Sequence, residues 1–263
     1  MQVPTPPDRR PRLLCLHGGG TTGAIFRAQL RAFATPLSAF RLVFADAPFL
    51  CDAGPGVLPV FADAAPFRRW LRWIPGAHPA LDDDAARDEI WWQLREAMDG
   101  DDAAGGTGDW VALVGFSQGA KMAASLLYEA QWRAQSGLRE ARPDWKFAVL
   151  MAGRAPLVSL RAETDGTGLQ RAGEIYEAPR NLGDVAGQHH IITRPTVHVH
   201  GLQDPGLPLH RKLLDDFCAT ETTSLVEWDG GHRLPIKAAD VKKVTEAILT
   251  VAIRTGVLDN RSL

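Results

Sequence analysis

Three short stretches carry residue types that do acyl chemistry together. Gly115-Phe116-Ser117-Gln118-Gly119 follows the apolar run Val111–Val114 and passes with no spacer into an alanine-rich segment. A serine at so sharp a strand-to-helix corner is presented as a nucleophile, and the helix N-terminus favours an oxyanion beside it. The same corner also suits a plain helix N-cap serine, so partners are needed to decide. A serine hydroxyl attacks only when a base removes its proton. In this strand–elbow–helix arrangement an acid and then a histidine should follow, each just beyond a later strand. Asp204 stands in Leu202-Gln203-Asp204-Pro205 after one apolar run, and His232 in Gly230-Gly231-His232-Arg233 after the next. On this reading His232 takes the proton of Ser117 and returns it to the leaving group. Asp204 orients the imidazole and stabilises its charged form.

Other residues compete for these roles. Asp229 is near His232 in sequence but reads as a turn residue. His198 and His200 alternate along a strand and are expected in the core, and His210 opens a helix. His189 and His190 lie in an irregular segment where they could touch a ligand. No carboxylate or cysteine stands at ligand spacing to a histidine, so no metal site is expected. The oxyanion should bind the backbone N–H of Gln118, with a second donor from the loop His17-Gly18-Gly19-Gly20. By position that donor is Gly19, while His17 reads as a hydrogen-bonding residue of the turn. A phosphate-binding role for these glycines lacks both the P-loop lysine and the dinucleotide spacing.

The elements that must position these residues alternate in type. Apolar runs at Arg12–His17, Arg41–Ala47, Asp109–Gly115, Trp145–Gly153, Arg194–Gly201 and Thr223–Gly230 have the length and Val/Leu content of strands buried on both faces of a parallel sheet. Helical patterns lie between them at Gly23–Ala34, Asp84–Met98, Ser117–Gln135, Pro208–Cys218 and Pro235–Arg254. The alternation predicts an α/β fold, a doubly wound, mostly parallel sheet of about six strands. Residues 1–10 are expected as a flexible tail and residues 11–263 as a single domain. Two segments, about 50–83 and 154–192, break the rhythm and are expected as lid-like insertions at the sheet edge where ligands bind.

The first insertion and the helix after it hold four of the eight tryptophans, Trp70, Trp73, Trp91 and Trp92. Trp70 and Trp73, three apart, are expected to share a helix face, either lining an apolar site or packing a lid onto the core. Phe49, Trp70, Trp73 and His190 are the candidate substrate contacts. Arg68, Arg69 and Arg72 read as a solvated helix face, or as a surface for an acidic carrier protein.

Composition narrows the classes further. The 263 residues are 45% apolar and 23% charged with a formal net charge of −2, as in ordinary globular proteins. Nothing in this balance predicts a nucleic-acid or anionic-membrane partner. Three cysteines leave one unpaired in any disulfide scheme, which favours a reducing compartment. The polar, proline-rich start has no signal-peptide core and no run reaches the ~18 apolar residues of a membrane span. A cytoplasmic location is expected.

Leu14-Cys15-Leu16-His17-Gly18-Gly19-Gly20, Phe44–Phe49, Gly115–Ala120, Phe147–Gly153, the run His198 to Pro205 and Gly230–Pro235 together resemble the fungal serine hydrolase family of the FSH type, small α/β-hydrolases. The motifs span Leu13 to Pro235. The resemblance implies the triad Ser117, Asp204 and His232, the oxyanion donors at Gly19 and Gln118, and no cofactor. It implies an esterase or thioesterase on a small-molecule acyl ester or thioester, working beside fungal polyketide synthases and freeing acyl chains from an acyl carrier protein. A general carboxylesterase, an acyltransferase and a non-catalytic binding protein on the same scaffold are the alternatives. The chain departs from the family at the third loop glycine, where a bulkier residue is common, and over Arg154–Ile192.

Overall fold

The computed structural model describes residues 6–166, 168–175 and 190–259. Six strands form one sheet in the order β10-β9-β6-β5-β1-β2. They are β1 (Arg12–Leu16), β2 (Arg41–Ala45), β5 (Trp110–Phe116), β6 (Phe147–Met151), β9 (Thr196–Gly201) and β10 (Thr223–Trp228). Every pairing between them is parallel. The inner strands β1, β5 and β6 are mostly apolar because both of their faces are covered, whereas the edge strand β10 (TSLVEW) is partly exposed. In β1, Leu14 and Leu16 enter one core layer while Leu13 and Cys15 enter the other. Phe147, Val149 and Met151 alternate in the same way with Ala148 and Leu150 in β6.

Helices α2 (Asp83–Ala103), α3 (Gln118–Gln135) and α4 (Leu207–Phe217) supply Ile90, Leu126 and Leu213 to the first layer. Helix α5 (Ala238–Arg254) and the segment from α1 (Gly23–Gln29) to Leu37 supply Val244, Phe26 and Leu37 to the second. Caps explain where two of these helices start. The Thr22 side chain accepts the Ile25 N–H, and the Asp82 side chain accepts those of Asp84 and Ala85. The expected helix to Ala34 finishes as a 3₁₀ turn, Leu30–Phe33.

Two small two-stranded sheets lie outside the main one. β3 (Phe49–Cys51) and β4 (Phe67–Arg69) pair antiparallel, and β7 (Val158–Ser159) and β8 (Gln170–Arg171) pair parallel. The first pair overturns the helix expected around Trp70. Arg68 N–H donates to Thr21 O at 2.9 Å and Gly20 N–H donates to Arg68 O at 2.8 Å, so this stretch is extended against the β1–α1 loop. Nor do its arginines form a solvated face. Arg69 is buried, Arg68 donates to the carbonyls of Ala47 and Pro48, and Arg72 donates to those of His78 and Gly173. Of residues 1–10, the first five lie outside the described residues. Asp8 N–H donates to Gly105 O at 2.9 Å, and Arg10 donates to Ser38 O at 3.0 Å.

Candidate active site

Ser117 sits between β5 and α3 with φ 54° and ψ −116°, a conformation that L-residues rarely adopt. Its N–H donates to Met151 O at 2.8 Å on the neighbouring strand, which fixes the corner. The flanking glycines are required by close approach. A Cβ on Gly115 would lie 2.3 Å from Gly119 O, and one on Gly119 would lie 2.0 Å from Leu16 O. Strand and helix therefore meet backbone to backbone, and the serine side chain stands alone at the turn. One strand over, Ala152 also has a positive φ, 53°, and its N–H donates to Val199 O at 3.0 Å.

Loops after β9 and β10 bring the other two groups to the same edge. Asp204 is buried; its Oδ1 accepts the Gly206 N–H at 2.7 Å and its Oδ2 accepts from His232 Nδ1 at 2.6 Å. The other ring nitrogen of His232, Nε2, lies 2.9 Å from Ser117 Oγ. With Nδ1–H donated to the carboxylate, Nε2 is the basic nitrogen and faces the hydroxyl. Burial works to raise the Asp204 carboxyl, but the Gly206 N–H and His232 outweigh it and hold the group below the ordinary carboxylate value. Asp229 instead accepts from Gln203 Nε2 at 2.6 Å.

Across from the serine, the backbone N–H groups of Gly19 and Gln118 donate to no other group among the described residues. Gln118 does more with its side chain than the sequence suggests. Oε1 accepts the N–H groups of Trp70 and Leu71 at 2.7 and 3.1 Å, and Nε2 donates to Leu71 O at 3.0 Å. The same Oε1 would stand 3.3 Å from a Cβ on Gly19. That Cβ would also come within 2.8 Å of the Trp73 indole. Glycine at position 19 thus leaves room for an aromatic edge beside its own amide. No local pattern announces this contact, since the two residues lie 54 positions apart and meet only through the fold.

The candidate substrate contacts separate into two groups. Trp73 is half-buried at the Gly19 loop, with His78 packed edge-on against it at 4.8 Å. Trp70 is fully buried, its Nε1–H donating to His17 O at 3.0 Å, and so presents no surface to a ligand. Phe49 lies partly buried under the Arg69 guanidinium, 4.9 Å from the ring centre. His190 is buried beside Tyr128, whose hydroxyl lies 2.7 Å from its Nδ1. His189 lies outside the described residues. His17 is a turn residue: Nε2 accepts the Ala47 N–H at 2.9 Å, Nδ1 lies 2.7 Å from Gly18 O, and burial pushes its pKa down to about 4. His198 and His200 are core residues, as their alternation along β9 implies.

Lys121, one turn along α3 from Ser117, is buried with its ammonium on Gln170 Oε1, and burial pushes its pKa down to about 7. A lysine in an alanine-rich helix reads as a solvent group in sequence, so only the structure exposes its role in fastening residues 154–175.

Residues 7–244 match the family model described as serine hydrolase (FSH1). Among curated proteins, esterase claE of Penicillium crustosum is 49% identical over 251 residues, 94% of each chain. Esterase pigG of Monascus ruber is 50% identical over 262 residues, covering 95% of this chain and 94% of that one. Among solved structures, acyl-protein thioesterase 2 of Zea mays superposes with a TM-score of 0.54 at 17% identity, over 95% of this chain and 96% of its own. A carboxylesterase from Mesorhizobium loti gives 0.52 at 14% identity, over 92% and 90%. At such identities the structural likeness speaks for the α/β-hydrolase fold alone.

Proposed function

The chain belongs to the FSH1 serine hydrolase family, and from that premise we propose that it is an esterase or thioesterase working through an acyl-enzyme on Ser117. One observation carries this reading: the unbroken line from Asp204 through His232 to Ser117 Oγ, with contacts of 2.6 and 2.9 Å. As Ser117 Oγ attacks the acyl carbonyl, its proton passes to His232 Nε2, and the imidazolium is stabilised by the Asp204 carboxylate. The carbonyl oxygen becomes an oxyanion between the N–H groups of Gly19 and Gln118. Collapse expels the alcohol or thiol, which takes the proton from His232. Water, activated by the same nitrogen, then frees the acid and restores the serine.

The substrate class is read as a polyketide-type acyl group, borne on a small-molecule ester or as a thioester on an acyl carrier protein in fungal secondary metabolism. Support comes from the fungal relatives named esterases at about half identity and from the indole edge at the Gly19 loop, which suits an apolar acyl chain. We read the stretch about 50–83 as a wall of that site within one domain, 11–263; of the second lid-like stretch, about 154–192, residues 167 and 176–189 lie outside the described residues. The arginines of the first stretch are turned inward, so a carrier protein would dock elsewhere. No helix among the described residues is long and apolar enough to cross a membrane.

A fluorophosphonate probe tests the nucleophile. The expected result is one adduct, on Ser117, absent in Ser117→Ala and slowed by about 10²–10⁴-fold in His232→Ala, the contribution of a general base. An adduct elsewhere, or labelling indifferent to His232, would overturn the assignment. A panel of aryl esters and acyl thioesters then sorts the substrate class.

A further inference from the structure

Next to the hydrogen-bonded line stands an imidazole that the reaction does not use. His210, on α4, has a wholly buried side chain, and neither of its ring nitrogens has a hydrogen-bond partner among the described residues. Two bare nitrogens in a buried ring require a physical reason, because such groups are nearly always satisfied. His210 Nε2 faces Asp204 Oδ2 at 3.9 Å, and this is the same oxygen that His232 Nδ1 approaches at 2.6 Å. One ligand atom from each of Asp204, His210 and His232 falls within 4.8 Å of the others. Their positions, 204, 210 and 232, follow no metal-binding spacing, which is why the sequence conceals the group.

We propose that Asp204, His210 and His232 form an inhibitory site for a borderline divalent cation, with Zn²⁺ as the type ion, that switches off the reaction at Ser117. The donor set is two imidazoles and one carboxylate, which suits zinc and its neighbours and not Mg²⁺ or Ca²⁺, whose shells are oxygen. Zinc bonds of 2.0–2.2 Å place tetrahedral donors about 3.3 Å apart. The 2.6 Å pair opens and the 3.9 Å pair closes, each by about 0.6–0.7 Å, to reach that spacing. The His232 side chain is 32% exposed, so the ion enters from its side and water completes the fourth position. Asp204 Oδ1 stays fixed by the Gly206 N–H at 2.7 Å, an outer-shell brace of the usual kind.

The exchange balances without redox. The Nδ1–H bond of His232 breaks, its proton passes through water to Nε2, and an Nδ1–Zn bond forms; Asp204 and His210 each give a lone pair. Two things then fail at the base. Nε2 now carries the ring proton and has no lone pair for the Ser117 hydroxyl, and Asp204 no longer supports an imidazolium. Arg154 opposes the ion: its guanidinium and His210 Nε2 both lie within 3 Å of the point where a Gly206 Cβ would stand (2.7 and 2.9 Å). The site therefore holds zinc reversibly and more weakly than a structural zinc centre.

The inhibition rests on His232 being the base, whereas binding of the ion does not, and the experiment separates the two. Purified protein is labelled with fluorophosphonate and assayed on a p-nitrophenyl ester with ZnCl₂ or MgCl₂, then with EDTA added. Zinc is expected to suppress both readouts, EDTA to restore them, and magnesium to do nothing. In His210→Phe, which keeps the ring volume without a donor, the zinc-free rate is expected within about threefold of the parent. The half-inhibiting zinc concentration should rise about tenfold or more. Titration calorimetry on Ser117→Ala at about pH 8 should show one zinc per chain with no net proton release, read from buffers of different ionisation enthalpy. His210→Gln replaces the phenylalanine variant if that chain does not fold. Equal inhibition of parent and His210 variant, inhibition by magnesium, or no zinc uptake by Ser117→Ala would each overturn the site. Failure to label Ser117 without zinc overturns the triad reading instead, and calorimetry still decides whether the ion binds.

Discussion

From Phe67 to Leu71 the chain is held by backbone amides; over residues 161–171, Arg161, Asp165 and Arg171 are held by ion pairs whose partners on the helices are buried. The first stretch pairs with Gly20 and Thr21, has the Gln118 amide clamped on Trp70 and Leu71, and drops the Trp70 ring into the core. Nothing in that set ionises. The second stretch reaches α2 and α3 through ions. Glu129, its side chain only 3% exposed, accepts from Arg161 at 2.9 Å and Arg142 at 3.1 Å, with Arg133 at 3.6 Å. Arg87 grips both oxygens of Asp165 at 2.9–3.0 Å, and Asp83 takes Arg171 and the Gly173 N–H. The neutral clasp belongs to the residue that follows Ser117, the proposed nucleophile. The ionic one grips the helix flank and bears on stability. Irregular segments that look alike in sequence are thus fastened for different ends.

The largest test of that contrast removes Glu129. Glu129→Ala leaves Arg161 and Arg133 buried without their shared carboxylate, and the expected loss is about 3–5 kcal/mol in denaturant unfolding. A loss below about 1 kcal/mol would mean that these charges are already solvated. Gln118→Leu comes next. Two backbone N–H groups lose their acceptor, so about 2 kcal/mol of stability should go. Because the clamp also sets the Gly19–Trp73 contact, kcat/KM on an aryl ester should fall about tenfold, the equivalent of roughly 1.4 kcal/mol in the transition state. If stability falls while kcat/KM holds, the clamp serves the fold alone and the contrast breaks.

Acid should separate the segments with the smallest effect. The Arg161 hydrogen bond holds Glu140 below the ordinary glutamate value of 4.5. A carboxylate so lowered binds fewer protons folded than unfolded, so its contribution is complete above about pH 4.5 and fades as the pH falls through the folded value. Amide protection around Val158–Arg171, corrected for intrinsic exchange, should therefore drop as the pH is taken below about 4.5, before that of Phe67–Leu71. Equal decline in both would remove the ionic distinction.

Much of this was legible along the chain, for a physical reason. Strands buried on both faces are rich in apolar residues, so their ends are sharp in sequence, and Ser117 follows such an end. Asp204 and His232 stand just past the more mixed β9 and β10, in loops marked by Asp-Pro and Gly-Gly. The misread stretch shows the limit. Trp70 and Trp73 have helical spacing, yet Arg68 pairs with Thr21, 47 residues earlier, and a non-local ladder overrides a local period. His190 looked free to meet a ligand in an irregular stretch, but its partner Tyr128 lies 62 residues away on α3. The Arg87–Asp165 pair spans 78 residues and has no local signature either. Ser117 itself was visible because glycines frame it, and the crowding that demands them is local.

The bent backbone at Ser117 and Ala152 also has a meaning on the timescale of descent. Each holds a φ that glycine adopts freely, at a strain of about 1–3 kcal/mol. Glycine at 117 would relax the corner and abolish the hydroxyl; glycine at 152 would relax its neighbour and leave the hydroxyl in place. A lineage kept only for persistence would drift toward glycine at both positions, whereas one kept for turnover can accept it only at 152. Serine in place of glycine at the strained corner is what a chemical role of the hydroxyl would require, whatever the substrate.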